Sequence, residues 1–248
     1  MDDREFRHLI GYREHLVDTD KQKAMSSKLL EEPVNSSMIT AMLKVLAFDI
    51  TEDDVLDILK DKDTPAIVSH CSEIGLLCYG AEESVRKMSS FLDGRCSLHS
   101  NTYRISHLFL THYMDPSFYC DGNAQKGAYR ARNSNGSFDS SVIDNISYQL
   151  KKVFYLHRLN KAGNVIDTIA ECVCRLHQIN AFPKYTESVN ILFVNAFLVS
   201  AGIPPIIMDD EFVRDYIKYT KVYDMVSDYG PLADVIEKAL HKSTIVKA

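Results

Sequence analysis

Along most of the chain, apolar residues recur at the three-and-four spacing that gives a helix one buried face, and polar breaks with capping chemistry separate the runs. Thr51, followed by Glu52, Asp53 and Asp54, reads as a helix start: a hydroxyl N-cap, then acids that suit the positive end of the helix dipole. Thr64-Pro65 reads as another, with proline at the first helical position and Ile67, Ile74, Leu76 and Leu77 as its apolar residues. Ala81 to Asp93 is predicted as a separate helix closed by Gly94. Asn101 to Met114 follows, with Ile105, Leu108, Phe109 and Tyr113 as the expected apolar face. Further helices are predicted over 36–47, 140–158, 164–178, 186–201, 210–225 and 231–242, and Gly202 with Pro204-Pro205 marks a firm stop.

Residues 115–139 interrupt this pattern. They are rich in Gly, Asn and Ser and contain Asn135-Gly136, a pair in which both residues tolerate positive φ. One short β-hairpin is expected here, Tyr129–Asn133 against Ser137–Phe138. There is no internal repeat, low-complexity tract or linker that would split the chain, so the 248 residues are read as one compact unit.

Composition adds limits. With 46% hydrophobic residues the chain can bury a sizeable core. A net charge of -6, spread along the chain, gives no electrostatic footprint for nucleic acid. No apolar run reaches the roughly 20 residues that cross a bilayer, and the charged start Met1-Asp2-Asp3-Arg4 lacks the apolar stretch of a secretory signal. Six scattered cysteines are not a disulfide framework. Cys172-Val173-Cys174 is one residue too tight for a CxxC site and reads as small buried thiols. A reducing, cytoplasmic setting is expected, with an exported effector as the alternative.

The order of the pieces resembles that of the Fic family. Gly127-Ala128-Tyr129-Arg130 leads into the Asn135-Gly136 hairpin, where the family has a "flap". Two helices follow, then Ile179, a loop at 180–188, a long helix containing Asn195, and Gly202-Ile203-Pro204-Pro205. Tyr216, Tyr219, Pro231, Leu232 and Ile236 are similar to the family's last two helices. The resemblance covers about residues 100–240. It implies an all-α Fic-like domain with one short hairpin flap (96–242) and a helical N-terminal extension (1–95).

The resemblance also implies a chemistry: transfer of AMP or a related phosphate-bearing group from a nucleotide to a protein hydroxyl. The family loop runs His-Pro-Phe-x-(Asp/Glu)-Gly-Asn-Gly-(Arg/Lys). Its histidine is the general base, its acid holds magnesium, its glycine-flanked turn brings backbone N–H groups to the phosphates, and its last residue pairs with a phosphate. In this chain the loop reads Asn180, Ala181, Phe182, Pro183, Lys184, Tyr185, Thr186, Glu187 and Ser188. Only Phe182 matches. Asn180 cannot take up a proton, Lys184 reverses the charge of the metal ligand, Tyr185 and Glu187 replace glycines, and Ser188 removes the cation. No catalytic residue is assigned with assurance. His177, one helical turn before Asn180, is a weak candidate base against the plainer reading of a satisfied histidine, and Lys184 a weak phosphate ligand against a solvated lysine.

Ser27-Lys28-Leu29-Leu30-Glu31 fits the first five positions of the family's inhibitory helix, near 24–32, but equally a solvated helix end. The expectation is a Fic-like protein that binds or regulates, an inactive relative or effector that engages a protein partner through the flap at Tyr129, Arg130, Asn135 and Gly136. It needs no metal or cofactor, and self-association is open. The alternative is a transferase moving AMP, phosphocholine or a sugar with non-standard residues, using ATP or another nucleotide with magnesium. A helical scaffold unrelated to Fic is a third reading.

Overall fold

The computed structural model describes residues 34–60, 73–92, 100–114, 129, 144–149, 165–200 and 203–245. It contains α1 (Val34–Val45), α2 (Glu52–Lys60), α3 (Glu73–Leu92) and α4 (Ser100–Leu110), a short helical segment at 144–149, then α5 (Val165–Ile179), α6 (Thr186–Ser200), α7 (Asp210–Val226) and α8 (Gly230–Ile245). Among the described residues no strand occurs, so the all-α reading holds for them. The helix start at Thr64-Pro65, Gly94, most of 140–158, Gly202, Arg130, Asn135, Gly136, and Ser27 with Glu31 lie outside the described residues.

Capping chemistry sets several helix ends. The Asp54 N–H donates to Thr51 Oγ1 at 3.2 Å, and the Thr51 N–H and hydroxyl both donate to Asp54 Oδ2, at 2.8 and 2.6 Å. This reciprocal box satisfies donors that the first turn of α2 would otherwise leave open. Asp209 caps α7 by accepting the Phe212 N–H at 2.9 Å.

The centre of the domain is α6. Its residues 188–199 are all buried, so its sequence has no polar face to show. Helices α1, α3, α4 and α5 pack around it, and α7 and α8 close the α5 side. Phe193 meets Tyr103 of α4 edge-on at 5.0 Å and Phe197 of its own helix at 5.5 Å. Past the helix stop, Asn195 stitches the chain back onto α6: its Oδ1 accepts the Ile206 N–H at 2.9 Å and its Nδ2 donates to the Ile206 carbonyl at 3.1 Å. Asn195 is buried, and these two bonds satisfy both ends of its amide.

Two expectations are corrected. The apolar residues 74–77 and the run from Ala81 belong to one helix, α3, not two. Gly80, between the two runs, is a contact point: a Cβ there would stand 1.9 Å from the Leu110 carbonyl oxygen of α4. The two backbones approach so closely that only glycine fits. The second correction concerns α4. Its buried face is Tyr103, Ser106, His107 and Leu110, continued by Met114, whereas Leu108 is exposed and Ile105, Phe109 and Tyr113 are half-buried. The buried polar residues Ser106 and Thr111 bond carbonyls one turn back, at 3.0 and 2.8 Å, so they cost little to bury. A pattern that counts only apolar residues selects the wrong face.

Candidate functional site

The loop between α5 and α6 is built on two residues with positive φ. Asn180 (φ 44°) ends α5, its N–H donating to the carbonyls of Leu176 and His177 at 3.1 and 3.0 Å. Asparagine tolerates this left-handed turn, and here it acts as a helix cap with an exposed side chain. Tyr185 (φ 63°) precedes α6, and its carbonyl accepts the Val189 N–H at 3.3 Å. A tyrosine in this conformation is strained relative to glycine. Its side chain nevertheless folds inward, buried, with its hydroxyl donating to Glu73 Oε1 of α3 at 2.7 Å.

The first half of the loop is anchored by aromatic rings. Phe182 is buried and lies flat on His107, centroids 3.8 Å apart at 7°, with Tyr103 and Tyr129 stacked at 5.2 Å each. Tyr129 is the one flap residue described, and it is buried here. The Nε2–H of His107 donates to the Lys184 carbonyl at 3.1 Å. Burial drives the His107 pKa down to about 3, so the ring stays neutral and acts as a fixed donor. Ala181 is buried and the Lys184 side chain is exposed. Thr186 Oγ1 accepts the Phe182 N–H at 3.1 Å, which closes the loop on itself.

Charge anchors the second half. Glu187 lies in the first turn of α6, where a carboxylate suits the helix dipole. Its Oε1 is 2.5 Å from His177 Nδ1 and its Oε2 accepts the Tyr216 hydroxyl at 2.7 Å, with Asn190 Nδ2 at 3.5 Å. The other ring nitrogen of His177 meets Asp224 Oδ2 of α7 at 3.1 Å. Burial works against the charged imidazole, but the Glu187 hydrogen bond and the charges of Glu187 and Asp224 outweigh it and hold the pKa above its ordinary value. Deeper in, the Tyr103 hydroxyl donates to Asn190 Oδ1 at 2.5 Å. Burial raises the pKa values of Tyr103 and Tyr216 well above the usual phenol range, so both remain donors. Ser188 is fully buried, and its Oγ has no hydrogen-bond partner among the described residues.

The structure therefore gathers Phe182, Tyr129, Tyr185, Glu187 and His177 around one loop. It adds Tyr103, His107, Glu73 and Asp224, which the sequence reading did not single out, and Tyr216, which that reading placed only in the last pair of helices. All five come from other helices, and His107 sits on the α4 face that an apolar count overlooks. Among the described residues no group of three or more His, Cys, Asp or Glu side chains is arranged to hold a metal ion. Cys172 and Cys174 are both buried, and burial pushes the Cys174 thiol up to about 12.

No protein-family model matches the chain, and no curated protein does. Solved structures do. A fragment of Fic-1 from C. elegans superposes with a TM-score of 0.66 at 16% identity, covering 97% of this chain and 68% of that one. A single-residue variant of the same fragment gives a TM-score of 0.62 at 17% identity over the same shares. The chain has a Fic-like fold. At this identity the likeness concerns the fold alone. It removes the reading of an unrelated helical scaffold and leaves the chemistry to be argued from the loop. None of the described helices is long and apolar enough to cross a membrane.

Proposed function

We propose that this Fic-like protein works by binding rather than by magnesium-dependent AMP transfer, as a regulator or effector that engages a protein partner. The observation that carries this reading is Glu187: a fully hydrogen-bonded carboxylate in the first turn of α6, held from both sides by His177 and Tyr216. A negative charge fixed there repels a phosphate that approaches the same helix end. The other replacements support it. Asn180 caps α5 with an exposed side chain that cannot act as a base, Tyr185 places a buried ring where the family has glycine, and Ser188 is a buried hydroxyl where the family has a cation. His177 has a carboxylate on each ring nitrogen, an arrangement that keeps a proton rather than accepts one from a substrate.

On this reading the residues do not suit a magnesium-bound diphosphate, and no step is routed through one. A flap that aligns a partner by strand addition needs only backbone groups, so it outlasts the loss of catalysis. A cytoplasmic or exported setting and a protein partner belong to the same proposal. The second reading, a transferase with another donor, draws on Ser188 Oγ, a buried polar atom that a bound group would satisfy.

Thermal unfolding separates the two. Melting is followed with ATP, a UDP-sugar and CDP-choline, each with and without magnesium. The binding reading expects no change in Tm. A ligand at about a hundred times its Kd would add roughly 2.7 kcal/mol, so a clear upward shift with any of the three overturns it.

A further inference from the structure

His177 bridges two carboxylates that differ in how well their own helices tolerate them. Glu187 lies at the start of α6, where the dipole favours it, and has Tyr216 as a second partner. Asp224 lies in the last turn of α7, where the dipole disfavours a negative charge, and its side chain is 44% exposed against 25% for Glu187. The imidazole ring is thus what keeps Asp224 docked. Beyond it, α7 ends at Ser227 in the left-handed conformation (φ 57°), with Met225 and Val226 exposed.

We propose that His177 is a proton-operated latch that ties the last turn of α7 to the α5–α6 loop and opens on the Asp224 side when the ring loses its proton. Protonated, the ring donates to both carboxylates. Neutral, it carries a single N–H, and one of the carboxylates then faces a lone pair. Glu187 keeps the remaining proton because it has the shorter contact, the favourable dipole and the Tyr216 bond. Asp224 is released.

The neighbouring titratable groups leave this assignment intact. On α5, Arg175 lies over the Tyr223 ring at 5.5 Å and faces Glu171. Cys174, with its pKa up at about 12, stays a thiol, and Tyr103 and Tyr216 stay phenols. From α8, Lys238 and Lys242 pair with Glu211 and Asp209 at the far end of α7. Carboxylates on both ring nitrogens raise the pKa of His177, so the latch stays closed with the ring protonated and opens as pH climbs through that raised value. The latch is independent of whether the loop binds a nucleotide, so the melting experiment above can fail without touching it.

The test is an NMR titration of the His177 ring combined with amide exchange of Tyr223 to Ser227, corrected for the intrinsic pH dependence of exchange. In the unmodified protein His177 should titrate above about 6.5. Protection of the last turn should fall roughly twofold to fivefold across that midpoint, the range a partly exposed ion pair supplies. Amides at the first turn of α7 should not follow. Asp224→Asn, at a side chain 44% exposed, should lower the midpoint and abolish the step. A His177 midpoint at or below 6.5, no step, or the same step in Asp224→Asn each overturns the proposal.

Discussion

Phe182 sits in a buried stack of Tyr103, His107 and Tyr129, whereas Glu187, further along the same loop, is held by a histidine and a phenol near the surface. Both halves contain a histidine, and the two are opposites. His107 is buried and kept neutral; His177 is flanked by carboxylates that favour its charged form. The first half rests on stacked rings, while the second carries a self-contained charge network. The two halves of one loop are therefore held by different forces and can be perturbed independently.

The largest effect expected from breaking this contrast is on the packed side. Phe182→Ala removes the ring on which three others stack and should cost about 3 to 5 kcal/mol, the range for a buried aromatic truncated to alanine. Chemical denaturation at neutral pH measures it. A loss under about 1 kcal/mol would mean that the stack does not hold the loop.

Acid sensitivity comes next and separates the two histidines by sign. With its folded pKa depressed to about 3, His107 supports the fold above the unfolded value of about 6.5, and that support drains as pH falls below it. One such group contributes a slope of up to about 1.4 kcal/mol per pH unit. His177, with a raised folded pKa, supports the fold below about 6.5, and that support is lost as pH rises through the folded value. His107→Phe keeps a ring on Phe182 but cannot titrate, so its stability curve should be flatter than the parent's between pH 6.5 and 4. It should also sit about 1 kcal/mol lower at neutral pH for the lost bond to the Lys184 carbonyl. Parallel curves would show that His107 is not buried neutral.

Tyr185 joins the two halves, and its strained φ is offset by the buried ring and the bond to Glu73. Tyr185→Phe keeps the ring and should lose about 0.5 to 1.5 kcal/mol in the same denaturation assay. No loss would assign the anchoring to the ring alone.

The sequence conveys local rules well and distant partners poorly. Thr51 and Asp54 announce the start of α2 because capping spans only one turn, and the run from Val189 to Val199 announces a buried helix because it has no polar face. Phe182 is legible as an anchor by its match to the Fic pattern. Its stacking partners are not, since Tyr103 and His107 reach it only once α4 is laid against α6. The role of Gly80 is hidden for a related reason: nothing local marks it as a contact, and only the approach of α4 explains it. Likewise, Glu187 at a helix start is readable as a charge on a dipole, but its clamp depends on His177, Tyr216 and Asp224 meeting in three dimensions.

The smallest expected effect belongs to the outer edge of the charged half. Asp224 is 44% exposed, so much of its attraction to His177 is screened by solvent, and Asp224→Asn should cost no more than about 0.2 to 1 kcal/mol near pH 6. The difference from the parent should shrink as salt rises from 0.1 M toward 1 M, since the screening length falls from about 10 Å to about 3 Å. It should shrink again above the folded pKa of His177, where the ring no longer donates to Asp224. The Phe182→Ala loss should respond to neither, because no charge contributes to that stack. Should the Asp224→Asn loss persist unchanged at high salt and high pH, the outer carboxylate would be held by packing rather than by charge, and the two halves of the loop would rest on the same force.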